Sequence, residues 1–434
     1  MTRVIISGAG GRDFHNYLVH FKDKKDVDVV AFTATQIPGI EKRHFPRELT
    51  RQKKKIPIYP EHMLPVLIKK LKADYVYLSY SDLAHQYVME FASKVLAAGA
   101  NFGLLGTKDT YVASRKPVIA VCAVRTGSGK SQTSRAIAEI LRKHGKKVVG
   151  VRHAMPYGNL LKQTCQRFAT MDDFEKHHTT IEEEEEYQPW IDHGFVIYAG
   201  FDYKQIIREA EKEADLIVFD GGNNDISFLK PDMLVVVADP HRPGHELTYY
   251  PGHVNFLLAD VIVINKVDSA PKEAVALVEK HARQYNKNAP VIRARSELIV
   301  EQSHRLRGKR CAVVGDGPTL SHGGMSFGAG TLAVKRFGGS LVYAKPYAVG
   351  NIKKTFEKFP HLTHEIPAMG YDAHDIADLE KTLNRVPCDI VVDGSPADLS
   401  HLLKLKKPMI RVGYELGTDA VRKLEKLLKK RGLL

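Results

Sequence analysis

Val118-Ile119-Ala120-Val121-Cys122-Ala123-Val124-Arg125-Thr126-Gly127-Ser128-Gly129-Lys130-Ser131-Gln132 decides how this chain is read. The run Val118–Ala123 is apolar without interruption, as in a strand buried on both faces. It empties into a glycine turn, after which Ala136, Ile137, Ile140 and Leu141 recur at helical spacing. Strand, glycine loop and helix in that order bring backbone N–H groups and a helix N-terminus up to phosphate oxygens. Gly127, Ser128 and Gly129 supply the turn, Lys130 the charge beside the β- and γ-phosphates, Ser131 a hydroxyl for magnesium, and Gln132 leads into the helix. The usual spacing G-x-x-x-x-G-K-[ST] fails at one place, where Val124 stands for the first glycine.

Working outward, strands are predicted at 148–151, 195–199, 215–219, 233–238 and 260–265, with helices near 203–213 and 271–285, so the loop sits in a doubly wound parallel sheet. Upstream, short apolar runs at 3–7, 27–32 and 75–78 and a helix from about residue 82 to 96 form a smaller alternation. Downstream, strands near 311–315, 340–344, 389–393 and 409–412 precede a closing helix at 418–430. The expected fold class is α/β: a central P-loop domain, 114–305, flanked by Rossmann-like α/β domains at 1–113 and 306–434. A chain of 434 residues is long enough for three such cores.

Composition narrows the partners. No apolar run approaches the ~18 residues that suggest a membrane span, and the N-terminal apolar stretch is too short for a signal peptide, so a cytoplasmic protein is expected. Cys122, Cys165, Cys311 and Cys388 have no paired spacing, which argues for core packing over a zinc site or disulfides. The net charge of +14 suits nucleic acid, a membrane surface or a strongly anionic small substrate. With no RNA- or DNA-reading motif in view, nucleic acid is the weaker of these.

Two further strings belong to the nucleotide site. Leu216-Ile217-Val218-Phe219-Asp220 is a buried strand ending in a carboxylate that can hold magnesium directly or through water. In Asn265-Lys266-Val267-Asp268, an Asp can read guanine and Asn265 can meet N7, which argues for GTP, although the same residues occur beside adenine. The glycine turn Gly8-Ala9-Gly10-Gly11-Arg12-Asp13-Phe14-His15-Asn16 lacks the third glycine of a dinucleotide fingerprint, because Asp13 stands there. Gly10, Arg12, Asp13, His15 and Asn16 are therefore candidates for anchoring a phosphate or carboxylate. Arg43, His44, Arg47 and Arg51 make a basic loop that is either a ligand or a solvated surface. Arg152, His153, His241, Arg242 and His245 lie just past strand ends, where ligands of open α/β sheets gather.

The loop from Arg125 to Ser131 resembles the deviant phosphate loop of the dimeric P-loop class that includes dethiobiotin synthetase and the urease and hydrogenase maturation GTPases. That resemblance implies a homodimer in which Arg125 reaches phosphate across the interface, as a catalytic cation beside Lys130 and Asp220. Longer strings narrow the likeness: Val151-Arg152-His153-Ala154-Met155-Pro156-Tyr157-Gly158, Thr180-Ile181-Glu182-Glu183, Ala238-Asp239-Pro240-His241-Arg242-Pro243-Gly244-His245-Glu246, and Gly315-Asp316-Gly317-Pro318-Thr319 running on to His322-Gly323-Gly324-Met325 and Gly328-Ala329-Gly330. With them nearly the whole chain resembles the cyclic 2,3-diphosphoglycerate synthetases. The resemblance implies ATP and Mg2+ as cofactors, 2,3-diphosphoglycerate as substrate, and closure of an intramolecular phosphoanhydride with release of ADP and phosphate. Two departures stand out: Glu182–Glu186 is unbroken where a basic residue is expected, and Ala154 replaces a proline. Glu182 and Glu183, with Glu185 and Glu186 beside them, are either a solvated acidic face or ligands of a second magnesium. A GTP-dependent switch or metallochaperone-like maturation GTPase is the alternative. His322 and the glycines Gly323, Gly324, Gly328 and Gly330 suggest another loop that approaches phosphate.

Overall fold

The structure, a computed structural model, describes the chain apart from residues 9, 36–42, 154, 156–157, 223–224, 322 and 369–372 and the side chains of Ile181 and Ala373. The expectations for Ala154 and His322 lie outside the described residues. The chain divides into two compact units: Met1–Ala169 with Phe195–Arg293 and Arg422–Leu434, and Thr170–Gly194 with Ala294–Val421.

The first unit carries two large sheets. β1 (Thr2–Ser7), β2 (Val27–Ala34), β3 (His44–Phe45), β4 (Ile56–Pro60), β5 (Tyr75–Leu78) and, after the short β6 (Leu83–Ala84), β7 (Asn101–Gly103) give a sheet of order β3-β4-β2-β1-β5-β7. The phosphate loop follows the central strand of the second sheet, made of β8 (Val118–Ala123), β9 (Val148–His153), β10 (Gln166–Phe168), β11 (Val196–Gly200), β12 (Leu216–Asp220) and β13 (Met233–Ala238), then β15 (Val261–Ile264) and β16 (Val291–Arg293), with β14 (Tyr249–Tyr250) lying outside it. Its order is β10-β11-β9-β12-β8-β13-β15-β16. All neighbours are parallel except β10, which runs antiparallel to β11 at the edge. Every residue of β8, β12, β13 and β15 is buried, as unbroken apolar runs require when helices cover both faces. The two sheets are tied together by an antiparallel pair, Tyr249 and Tyr250 of β14 against Ala84 and Leu83 of β6. The helix expected from residue 82 thus begins at His85, because the preceding residues are spent on this pair.

The second unit is built on β17 (Ser296–Val300), β18 (Arg310–Gly315), β19 (Ser340–Leu341), β20 (Glu365–Pro367), β21 (Ile390–Gly394) and β22 (Met409–Leu416). The order is β17-β22-β21-β18-β19, with β20 also pairing β18. The segment Thr170–Gly194 supplies this unit with the helix Ile181–Asp192. Thr180 caps it reciprocally: the Glu183 N–H donates to the Thr180 hydroxyl and the Thr180 N–H donates to the Glu183 carboxylate. Cys122, Cys311 and Cys388 are buried, Cys165 is half-buried, and all four are free thiols.

Thr180→Ala is expected to lower the stability of the second unit by about 1 kcal/mol, since the hydroxyl that accepts from the Glu183 N–H is lost while the backbone donor of residue 180 remains. A downward shift of the unfolding midpoint by calorimetry checks it.

Candidate nucleotide site

The phosphate loop is held by its carbonyls. The Ser128 hydroxyl donates to Arg125 O at 2.7 Å, Arg242 donates to Thr126 O at 2.7 Å, Lys266 Nζ to Gly127 O at 2.5 Å, and Asn265 Nδ2 to Ser128 O at 3.0 Å. Carbonyls turned into the protein leave the alternate side of the loop to peptide N–H groups, the arrangement that binds anions. Gly127 and Gly129 have φ of 78° and 100°. A Cβ on Gly129 would run into the Asn265 amide and Gln132, so glycine is required there twice over.

Two of these clamps share one counter-charge. Asp239 Oδ2 lies 2.7 Å from Arg242 and 3.1 Å from Lys266, fully buried. Burial alone would raise its pKa, but Lys266 and Arg242 outweigh it and hold the carboxyl well below the usual carboxylate range. The strand β13 thus ends in a carboxylate as β12 does, a parallel that the string Ala238-Asp239-Pro240 carried without a role being read from it. Asn265 is completely buried and its Nδ2 donates to Ser128 O, so it braces the loop, while its Oδ1 has no partner and Asp268 alone of that string is exposed.

At the helix end of the loop, Asp220 Oδ1 is 2.8 Å from Arg152 and 3.4 Å from Lys130 and accepts from Ser134 Oγ at 3.0 Å. Arg152 also reaches Ser131 Oγ at 3.3 Å, which places its guanidinium between the hydroxyl and the carboxylate expected to hold magnesium. Burial, and then the neighbouring Arg152 charge, push the Lys130 pKa down to about 8 against the pull of Asp220. His153 lies under Gly222, where no Cβ would fit, and burial followed by Arg152 and Lys130 keeps it neutral.

Arg125 is held inside its own chain. Its Nε donates to Asp82 at 2.6 Å, its Nη1 meets His245 Nδ1 at 2.5 Å, and its guanidinium lies 3.8 Å over the Tyr249 ring. Asp82 belongs to the loop after β5, so the first residue of the phosphate loop is bonded to the N-terminal sheet. Burial and then Arg125 lower the His245 pKa to about 4, leaving it neutral.

Several candidate anion anchors hold protein groups. Arg12 donates to Ile226 O at 2.5 Å and stacks on Phe228 at 4.7 Å. His15 bonds Thr110 O at 2.7 Å between Tyr203 and Phe228, and burial, then Arg12, drops its pKa to about 3. The Gly10 and Gly11 N–H groups donate to Asp13 Oδ1, both at 3.0 Å. Asn16 Nδ2 donates to Ser79 Oγ at 2.9 Å. Arg43 donates to Gly158 O, Arg47 pairs with Glu48 at the surface, and His241 meets Ser269 Oγ. Buried without a partner at this end of the N-terminal sheet are Asp13 Oδ2, Asn16 Oδ1, Asp82 Oδ2, His15 Nδ1 and the Tyr80 hydroxyl. Burial raises the Asp13 pKa to about 8.

Asp225 was not visible from the sequence. It is buried, and burial pushes its pKa up to about 6 against Arg12, the Ser81 hydroxyl and Lys130, which pull it down. Ser79-Tyr80-Ser81-Asp82 therefore runs as a strip from Asn16, past Asp225, to Arg125. No signal in the string Gly221–Asp225 would have singled it out. Ser131 and Asp220 lie in the first unit and Glu182 and Glu183 in the second, where Glu183 is the capping residue. Among the described residues no group of three or more His, Cys, Asp or Glu is arranged to hold a metal ion, and no helix is long and apolar enough to cross a membrane.

No protein-family model matches the chain. The arginine synthetase ArcE of Thermococcus kodakarensis is 52% identical over 430 residues, covering 98% of this chain and 96% of that protein. Among solved structures, LpxK of Aquifex aeolicus in complex with ATP matches 85% of this chain and 99% of its own at 13% identity and a TM-score of 0.43. The hydrogenase maturation factor HypB of Archaeoglobus fulgidus matches 43% and 82% at 20% identity and a TM-score of 0.27. At such scores neither adds to what the sheet order itself establishes. The strings that resemble cyclic 2,3-diphosphoglycerate synthetases thus occur in a chain whose near full-length relative is named for a different product.

Two outcomes test the loop. Asp239→Ala leaves Arg242 and Lys266 buried without their counter-charge and is expected to cost about 3–5 kcal/mol in denaturant unfolding, with nucleotide binding lost. Nucleotide affinity is expected to fall as pH rises through about 8, where free Lys130 loses its proton and must regain it to meet the phosphates. Calorimetric titration from pH 7 to 9.5 should show proton uptake that Lys130→Met abolishes.

Proposed function

The chain belongs to the family of the arginine synthetase ArcE, and we propose that it is an ATP-dependent synthetase that completes a guanidinium group. Family membership carries the reading. Forming a guanidinium with ATP requires a carbon that already holds two nitrogens and an oxygen that can be made to leave, a ureido group R–NH–CO–NH2. The ureido oxygen takes the γ-phosphoryl, ammonia adds to the carbon, and the C–O bond breaks to release inorganic phosphate. Two of the ammonia protons stay on the new nitrogen and one departs with the phosphate.

The residues are suited to these steps. The loop N–H groups and Lys130 would hold the triphosphate, and Arg125 would neutralise charge as it passes to the ureido oxygen. Ser131 and Asp220 form the hydroxyl-and-carboxylate set that magnesium takes, and the ion would neutralise the phosphates there once Arg152 yields its place. Asp225, close enough to Lys130 to be influenced by it and with a pKa near 6, is suited to carry the ammonia proton. The open acceptors at Asn16 and Asp82 favour an N–H-rich substrate over a polyanion.

The test is to give the protein ATP, magnesium, ammonium and citrulline, the ureido counterpart of arginine, with GTP and 2,3-diphosphoglycerate in parallel arms. Arginine and ADP formed in equal amounts are expected. A phosphoanhydride signal in phosphorus NMR, or turnover only of GTP, would overturn the reading. Asp225→Asn is expected to lower turnover by about 10²–10⁴-fold with nucleotide affinity kept. Arg125→Ala should likewise spare binding and remove turnover.

A further inference from the structure

Arg125 is enclosed by groups that two short strands bring together. Asp82 directly precedes β6 and Tyr249 opens β14, and the two strands pair antiparallel with Tyr249 opposite Ala84 and Tyr250 opposite Leu83. The register brings a carboxylate and a ring to the same guanidinium: Nε donates to Asp82 Oδ1 at 2.6 Å, and the guanidinium carbon lies 3.8 Å from the centre of the Tyr249 ring. His245, on the short helix His245–Thr248 that leads into β14, adds a third contact. Its ring stacks on Tyr249 at 4.5 Å, and its Nδ1 is 2.5 Å from Arg125 Nη1. A guanidinium has no acceptor, so Arg125 is the donor there, and the neutral imidazole accepts on Nδ1 with its proton on Nε2.

The enclosure is tight and costly to build. The side chains of Arg125 and Asp82 are 5% and 8% exposed, and Asp82 takes φ 59°, in the left-handed region that few residues other than glycine adopt. β6 and β14 form a separate ribbon of two residues each, too short to be stable for its own sake. What the ribbon accomplishes is the placement of Asp82 and Tyr249. The likeness of the loop to the dimeric P-loop class implies a cation that crosses to a partner chain. For Arg125 that reach would give up a carboxylate, a ring face and an imidazole of its own chain, and would leave the Asp82 charge buried and unpaired. A cation held in place is instead preorganised, and charge that develops beside it is met without rearrangement.

We propose that the β6–β14 ribbon sets Arg125 to act on the nucleotide bound in its own chain, with Asp82 and Tyr249 as the positioning residues. The proposal rests on the role given to Arg125 above, and it makes each chain sufficient for phosphoryl transfer.

The experiment co-expresses two full-length variants: Arg125→Ala, which lacks the cation, and Lys130→Met, which keeps the cation but lacks the loop lysine. The readout is calorimetric affinity for ADP with magnesium and aluminium fluoride, a mimic of the phosphoryl group in transfer that needs no amino-acid substrate. With Arg125 acting within one chain, the mixture should bind no more tightly than the variants taken singly; recovery above either would overturn the proposal. A double-mutant cycle tests the ribbon on the same mimic. Asp82→Asn and Tyr249→Leu should each weaken it on the order of tenfold, leave the affinity for ADP alone unchanged, and add nothing to Arg125→Ala. Tyr249→Phe, which keeps the ring face, should restore what Tyr249→Leu loses. A further loss in the Arg125→Ala background, an equal weakening of ADP, or a wild type that binds the mimic no better than Arg125→Ala would each overturn the proposal. Citrulline-dependent arginine formation by the wild type, measured alongside, reports on the proposed function separately.

Discussion

The structure turns on a short stretch of backbone whose carbonyls are all held from behind. A phosphate loop has few side chains with which to fix itself, and a glycine-rich turn left alone would sample many conformations. Here Ser128, Arg242, Lys266 and Asn265 secure four consecutive carbonyls, from Arg125 to Ser128. Two of the clamps are cations tied to the single buried carboxylate of Asp239. The loop is therefore preorganised by charges that are themselves compensated, at positions where strands β13 and β15 end side by side.

The same logic of compensated charge governs the helix end of the loop. Arg152, Lys130 and Ser134 all converge on Asp220, so two cations and a hydroxyl share one carboxylate that lies entirely out of solvent. The lowered pKa of Lys130 reflects its burial and the crowding by Arg152. Arg125 links this machinery to the N-terminal sheet through Asp82, and β6 pairing with β14 reinforces the link.

How far the residues could be read in advance depended on distance along the chain. The strands at 118–123, 233–238 and 75–78 and the closing helix at 418–430 were legible because apolar runs and helical spacing are local signals. The short strands β6, β10, β14 and β20 were not, being two or three residues that owe their form to a neighbour. Arg12 and His15 looked like anion ligands after a glycine turn, yet both face Thr110 and Phe228, far along the chain. Glu183 looked like a metal ligand, although Thr180-x-x-Glu183 before a helix is the pattern of a capping box.

By itself, the sequence determined the α/β class, the strand–loop–helix that carries Lys130 and Ser131, and the strand end at Asp220, since each is written in contiguous residues. Only the tertiary structure decided that the Asn265 amide braces the loop, that Asp239 holds Arg242 and Lys266, and that Asp225 lies buried near Lys130. The reason is physical. A side chain's chemistry is intrinsic, but whether it is spent or available depends on partners such as Asn265 and Ser128, 137 residues apart, that only the folded chain brings together.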